Sequence, residues 1–130
     1  MIDDGWAECY GDWQFHKGRF PDPAGMLRDL HGLGFKVMLW VCPYVTPDSK
    51  AYREAVQKGF LLQNESGGSF VAEWWNGFSV AVDLSTHPAR SWLDTQLEAL
   101  RGLGVDGFKF DGGDPTHYVG DQWRESCNSQ

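Results

Sequence analysis

Two stretches of the chain repeat one pattern: "LHGLGFKVMLWV" at 30–41 and "LRGLGVDGFKFD" at 100–111. Each reads as the end of a helix, a glycine return and then an apolar strand. Consecutive helix-to-strand returns of one kind imply βα units with parallel strands. A (β/α) barrel and an open doubly wound sheet both satisfy that, and both place function at the carboxyl ends of the strands. No G-x-G-x-x-G or P-loop follows either strand, so a nucleotide-binding sheet is disfavoured. The expected fold is α/β, one domain over 1–130, built as a segment of a barrel because so few strands cannot close one.

The rest of the chain fits that frame. In "PDPAGMLRDLHGLG", Asp22 is a good N-cap and Pro23 suits the first helical position. The spacing of Met26, Leu27, Leu30 and Leu33 predicts one apolar face, ended by Gly32 or Gly34. "FKVMLWVCPY" (35–44) is too short for a comfortable helix and reads as a buried strand. Tyr52 to Lys58 predicts a short helix closed by Gly59. Residues 60–84 carry short β-like pieces and a Gly67-Gly68 turn, so that 45–84 forms an inserted helix and β-excursion above the main sheet. A second helix runs from about Pro88 to Leu100, with Thr86 or His87 as its cap and Leu93, Leu97 and Leu100 facing inward. Val105 to Asp111 is the next strand. "MIDDGW" looks like the end of a strand whose beginning is missing. Residues 7–20 read as loop, with Asp12 supporting it and Trp13 packing beneath the site. The polar tail at 115–130 has no pattern that predicts structure. An open barrel segment exposes strand edges and helix faces, which predicts poor solubility for these residues alone.

Composition narrows the partners. There are 11 Lys+Arg against 18 Asp+Glu, a formal charge of −7, with no basic stripe, which disfavours nucleic acid and anionic membrane. No apolar run approaches the ~20 residues of a membrane helix, and the first residues are no signal peptide. Cys9, Cys42 and Cys127 are odd in number and far apart, which points to a reducing, cytoplasmic setting and away from structural zinc. The seven Trp suit core packing, and they also make flat platforms for sugar rings. No cofactor motif is present. His16, His31, His87 and His117 lack ligand spacing, and an Asp111/Asp114 pair offers too few oxygens for Mg²⁺ or Ca²⁺.

The candidate chemistry sits at strand ends. Asp3-Asp4-Gly5-Trp6 close the first strand, Trp40, Cys42, Pro43 and Tyr44 the second, and Asp111 the third; Trp74, Trp75 and Asn76 lie in the excursion. In a parallel barrel these ends converge on one mouth, where acids and aromatic walls describe a sugar site. Asp111 by itself is equally a turn residue before Gly112-Gly113 or a nucleophile. Lys109, two residues back, faces the same side and could keep Asp111 ionised or bond a sugar hydroxyl. Adjacent Asp3 and Asp4 are expected to point opposite ways, one to ligand hydroxyls and one to backbone or a helix start.

Four strings in order, "DDGW", "GDWQFHKGRFPDPAGMLRDLHGLGFKVMLWVCPYVTPDS", "EWWNGFSVAVDLSTHPARSWL" and "GVDGFKFDGGD", resemble glycoside hydrolase family 31 over nearly all of 1–120. The K-F-D string is similar to the branch with α-galactosidase-like and myogenesis-regulating-glycosidase-like members. That resemblance implies a (β/α)₈ barrel and retaining hydrolysis of α-glycosides. Asp3-Asp4 would end the second barrel strand, Trp40 the third and Asp111, as nucleophile, the fourth. Trp74 or Trp75 would wall the −1 sugar subsite, with Asp3, Asp4, Trp40 and Lys109 as further substrate contacts. The implied partner is a small-molecule or oligosaccharide α-glycoside, together with the remainder of the barrel. The family's acid/base lies well downstream of the nucleophile, so these residues alone are expected to be inactive. Families 36 and 27 of the same clan show similar D-D-G-W and K-W-D strings. A non-catalytic carbohydrate-binding segment is the reading from another class.

Overall fold

The computed structural model describes residues 1–118 and the backbone of a strand at 123–124. Its centre is a parallel pair, β1 (Met38–Val41) and β6 (Gly107–Phe110), in the register Leu39↔Phe108 and Trp40↔Lys109. Ile2 adds a third parallel segment on the free edge of β1: its N–H donates to the Met38 carbonyl at 2.8 Å, and Trp40 N–H donates to its carbonyl at 3.0 Å. The order is therefore Ile2, β1, β6, with helices between successive strands. These strands form an arc that does not close, the (β/α) barrel segment that the repeated return predicts.

The helices form where their caps allow. In α1 (Pro23–Gly32) the Asp22 carboxylate accepts from Gly25 N–H at 2.9 Å, satisfying one of the orphan donors of the first turn. Leu27 is its fully buried contact, whereas Leu33, expected on the same face, is the exposed C-cap. The helix α2 (Lys50–Lys58) starts two residues before the apolar pattern does. Ser49 Oγ accepts from Tyr52 N–H at 3.0 Å, and the distant Asp12 carboxylate accepts from Ala51 and Lys50 N–H at 3.0 and 3.3 Å. Asp12 thus supports a helix as well as its own loop. The long α3 (His87–Leu103) buries Trp92, Leu93, Leu97 and Leu100, and Gly104 ends it in the left-handed region.

Alternation in β1 divides the interior in two. Leu39 and Val41 face the helices and join Leu27, Trp92, Leu93, Leu97, Leu100 and Trp13 in the larger core. Trp40 and Cys42 face the other way, into a second core with Tyr44, Leu62, Phe70, Trp74 and Ala81. That second core is the floor of the excursion. Its sheet has the order β2 (Tyr44–Val45), β5 (Gly77–Ala81), β4 (Val71–Trp74), all antiparallel.

Two expectations need correction. The strand at 35–44 is shorter: Phe35 is exposed at the helix return, and Pro43 diverts Tyr44 into β2. The tail is not wholly irregular: Pro115–His117 forms a 3₁₀ turn, and β7 (Trp123–Arg124) pairs with β3 (Gln63–Asn64). Cys127 lies outside the described residues. At the amino ends of the strands Asp106 ties the return together, accepting from Val37 N–H at 2.7 Å and meeting His31 at 2.8 Å and Lys36 at 3.3 Å.

Candidate active site

Asp111 follows β6 directly, and its N–H donates to the Val41 carbonyl at 2.9 Å, so the parallel ladder itself fixes the residue. One carboxylate oxygen, Oδ2, accepts from Trp40 Nε1 at 2.8 Å and lies 3.1 Å from Lys109 Nζ. The other, Oδ1, accepts from Gly112 N–H at 3.0 Å. The indole N–H, then the ammonium, hold the Asp111 carboxyl below its ordinary range. The same contact, Asp111 first, pushes Lys109 up. Lys109 also reaches Asp3 Oδ2 at 3.7 Å, so a single cation lies between two carboxylates from different strands. The parallel register explains this: Trp40 and Lys109 are paired residues and share the barrel-facing side.

Around this charge cluster stands an aromatic box. Trp40 and Trp74 lie parallel at 11°, centroids 6.4 Å apart. Tyr10 meets Trp74 edge-on at 5.1 Å and Trp40 at 6.0 Å, and Tyr44 packs on Trp74 at 4.5 Å. Trp6 Nε1 donates to the Trp40 backbone carbonyl at 2.6 Å, and both indoles of the stack are held through their own N–H, Trp40 by Asp111 and Trp74 by Ser79 Oγ at 3.2 Å. Gly112, with φ +79, brings the backbone close: a Cβ there would lie 3.2 Å from Tyr44 and 3.5 Å from Trp74. A cavity of about 350 Å³ lined by Asp4, Tyr10, Trp40 and Cys42 adjoins the box. Burial pushes the Cys42 thiol up to about 12, which keeps it protonated and inert. Among the described residues no group of three or more His, Cys, Asp or Glu is placed to share a metal ion.

The sequence profile of the glycosyl hydrolases family 31 TIM-barrel domain matches residues 1–130. The chain belongs to glycoside hydrolase family 31. Mouse (Mus musculus) myogenesis-regulating glycosidase is 38% identical over 119 residues, covering 89% of this chain and 16% of the relative. An α-xylosidase from Lactiplantibacillus pentosus is 36% identical over 110 residues, covering 85% and 14%. Among solved structures, a family 31 dextranase from Flavobacterium johnsoniae complexed with glucose superposes with a TM-score of 0.87 at 26% identity, covering 95% of this chain and 16% of that one. A soil-metagenome family 31 α-xylosidase complexed with xylose gives 0.85 at 26%, covering 96% and 19%. The chain thus spans about a sixth of the length of these relatives.

Within the family 31 segment, the structure brings Asp3, Trp40, Lys109 and Asp111 into one cluster. The Asp4 carboxylate bonds none of their side chains, although it lines the same cavity as Trp40. It lies in the turn after the strand rather than in the pleat, so strict alternation does not govern it. Asp3 Oδ1 accepts from Asp4 N–H at 2.9 Å while its Oδ2 faces Lys109, so a single acid serves both backbone and site. Asp4 instead accepts from Tyr10 Oη at 2.9 Å and from Asn76 Nδ2 at 3.2 Å, and Asn76 Nδ2 also donates to Tyr10 Oη. Burial and the Asp4 carboxylate push the Tyr10 phenol well above its ordinary value.

The two adjacent tryptophans separate. Trp74 is 5% exposed in the box, and Trp75 is 56% exposed at the hairpin turn. Tyr44 and Asn76 take their places beside the site as members of the strand-end and excursion clusters, whereas Tyr10 and His117 are site neighbours that sequence reasoning missed. Asn76-Gly77 is a hairpin-turn dipeptide that marks the tip, and Gly77 takes φ +93 there. Tyr10 and His117 carry no local signal.

Proposed function

We propose that the protein containing these residues is a retaining α-glycosidase with Asp111 as its nucleophile. The observation that carries this reading is the Asp111 carboxylate itself. It stands at the carboxyl end of a parallel strand, kept anionic by Trp40 Nε1 at 2.8 Å and Lys109 Nζ at 3.1 Å. In the first step an Asp111 oxygen attacks the anomeric carbon, the bond to the leaving oxygen breaks, and a general acid protonates that oxygen. A covalent glycosyl ester results. In the second step the same acid, now a base, takes a proton from water as the water displaces Asp111. Lys109 and Asp3 form the donor and acceptor pair that would fix hydroxyls of the −1 sugar, and the Trp40–Trp74 box supplies its apolar wall.

Asp3 is not the acid. It shares the Lys109 ammonium with Asp111, which puts it on the nucleophile's side of the sugar ring. Asp114 belongs to the nucleophile's own loop, at the start of the Pro115–His117 turn, which argues against it as the acid. The general acid in this reading is therefore a residue other than Asp3 and Asp114. The substrate class is a terminal α-linked sugar, in keeping with relatives named α-xylosidase and α-glucosidase. The test is Asp111→Ala in the full-length protein, assayed on aryl α-glycosides with and without azide. Hydrolysis should vanish, and azide should restore turnover with a β-glycosyl azide as product. Activity retained without Asp111 would remove the assignment, and so would a carbohydrate binder with no turnover in the unmodified protein.

A further inference from the structure

One side chain closes the loop that follows Asp111. The loop leaves the barrel where Asp111 N–H is tied to the Val41 carbonyl, and the Pro115–His117 turn brings His117 back onto Gly112. His117 Nδ1 lies 3.2 Å from the Gly112 carbonyl oxygen and 3.3 Å from Tyr44 Oη. A carbonyl oxygen only accepts, so the contact with Gly112 requires the proton on Nδ1. Tyr44 is completely buried, and burial with the neighbouring Tyr118 pushes its phenol far above the ordinary value, so it stays a neutral hydroxyl. The imidazole meets the Tyr44 ring edge-on at 6.2 Å and the Trp75 ring at 5.4 Å. A ring packed by two aromatics, with its N–H shared between a backbone carbonyl and a buried phenol, is held in one orientation.

We infer that His117 is a positioning residue for the nucleophile, acting through the backbone of Gly112. The inference rests on Asp111 being the nucleophile. Gly112 serves both sides of the contact: its N–H bonds Asp111 Oδ1 at 3.0 Å, and its carbonyl takes the His117 proton. Only the Gly112 φ and ψ separate those two groups, and glycine has more freedom in both than any other residue. Anchoring the carbonyl therefore limits how far the N–H can turn from the carboxylate. Oδ2 has two side-chain donors, Trp40 Nε1 and Lys109 Nζ, whereas Oδ1 relies on Gly112. Without His117 the carboxylate is held firmly through one oxygen, and its aim at the anomeric carbon loosens. The Gly112 N–H also helps Trp40 and Lys109 keep the Asp111 carboxyl low, so the same loss should raise it.

The experiment compares His117→Ala, His117→Asn and His117→Gln with the unmodified full-length enzyme. Asparagine places an amide N–H near the position of Nδ1, whereas glutamine carries its amide further out, near that of Nε2. With alanine or glutamine, kcat/KM for an α-glycosyl fluoride should fall roughly tenfold or more, and the acid limb of its pH profile should move to higher pH. Asparagine should recover most of the rate and return the acid limb. Inhibition by the free product sugar should stay within about twofold in all three, because the side chains proposed to hold that sugar are unchanged. A merely structural role would move product binding and melting temperature together with the rate, and would not distinguish asparagine from glutamine. Glutamine matching asparagine, all three variants matching the unmodified enzyme, or an acid limb that stays put while the rate falls would overturn the inference. If the unmodified enzyme hydrolyses no α-glycosyl fluoride, or Asp111→Ala retains the activity, the nucleophile reading itself falls and takes the inference with it. Hydrolysis that requires Asp111 and ignores His117 overturns the inference alone.

Discussion

Gly112 and Gly113 are adjacent in sequence, and the structure predicts opposite fates for them when each is replaced by alanine. Gly112 holds φ +79, a region that disfavours an L side chain by about 1–2 kcal/mol. Its added Cβ would lie 3.2 Å from Tyr44 Cε2, 3.4 Å from Cys42 Cβ and 3.5 Å from Trp74 Cζ3. Tyr44 is completely buried and Cys42 and Trp74 nearly so, so none can withdraw without disturbing the box; overpacking of this kind adds about 1–3 kcal/mol. The total for Gly112→Ala is about 2–5 kcal/mol of stability. Gly113 has no heavy atom within 4 Å of such a Cβ and no left-handed φ, so Gly113→Ala should stay within about 0.5 kcal/mol. Function should follow the same contrast. The Gly112 N–H bonds Asp111 Oδ1 at 3.0 Å, so any relief of the clash drags the carboxylate with it. A displacement of about 1 Å lowers the rate on the order of a hundredfold. Urea unfolding and α-glycosyl fluoride hydrolysis in the full-length enzyme measure both effects. Equal behaviour of the two alanine variants in either assay would refute the packing argument.

Lys109→Met should shift the acid limb of the kcat/KM profile to higher pH. Asp111 is held low first by Trp40 and then by Lys109, and losing the cation lets its carboxyl rise while the indole bond remains. An unmoved acid limb, with activity intact, would show that Lys109 does not tune Asp111. Asp106→Asn should lower stability in one pH window. Val37 N–H, His31 and Lys36 depress the Asp106 carboxyl from 3.8 to about 2, so its contribution is complete above the ordinary value and fades as pH falls through about 2. The melting-temperature gap between variant and parent should therefore be constant near neutrality and close in strong acid; a gap that widened in acid would reverse the sign.

What the sequence displays is what depends on near neighbours. Asp22-Pro23 announces α1 because a cap needs only the next three residues, and the glycine returns announce parallel strands because each is a local stop. Lys109 and Asp111 are legible as sharing a face from the pleat alone. The excursion is different, since its pieces find their places by folding back over the barrel mouth. Which of Trp74 and Trp75 is buried depends on the register of β4 against β5, Trp74↔Gly77, and adjacent tryptophans look alike without it. Tyr10 reaches Asp4 only because the 7–20 loop returns beneath the hairpin, and the partners of Asp4 are consequently Tyr10 and Asn76 instead of a backbone donor. The pairing of β3 with β7 joins residues 63–64 to 123–124, too distant for any periodicity to show.

The central claim is that Asp111 forms the covalent bond to the sugar. A series of 5-fluoro-α-glycosyl fluorides offered to the full-length enzyme would trap that ester, and peptide mass mapping would locate it. The account predicts a single labelled peptide containing Asp111, with no label in Asp111→Asn. A label on Asp3, Asp4, Asp114 or any residue outside this segment would contradict it.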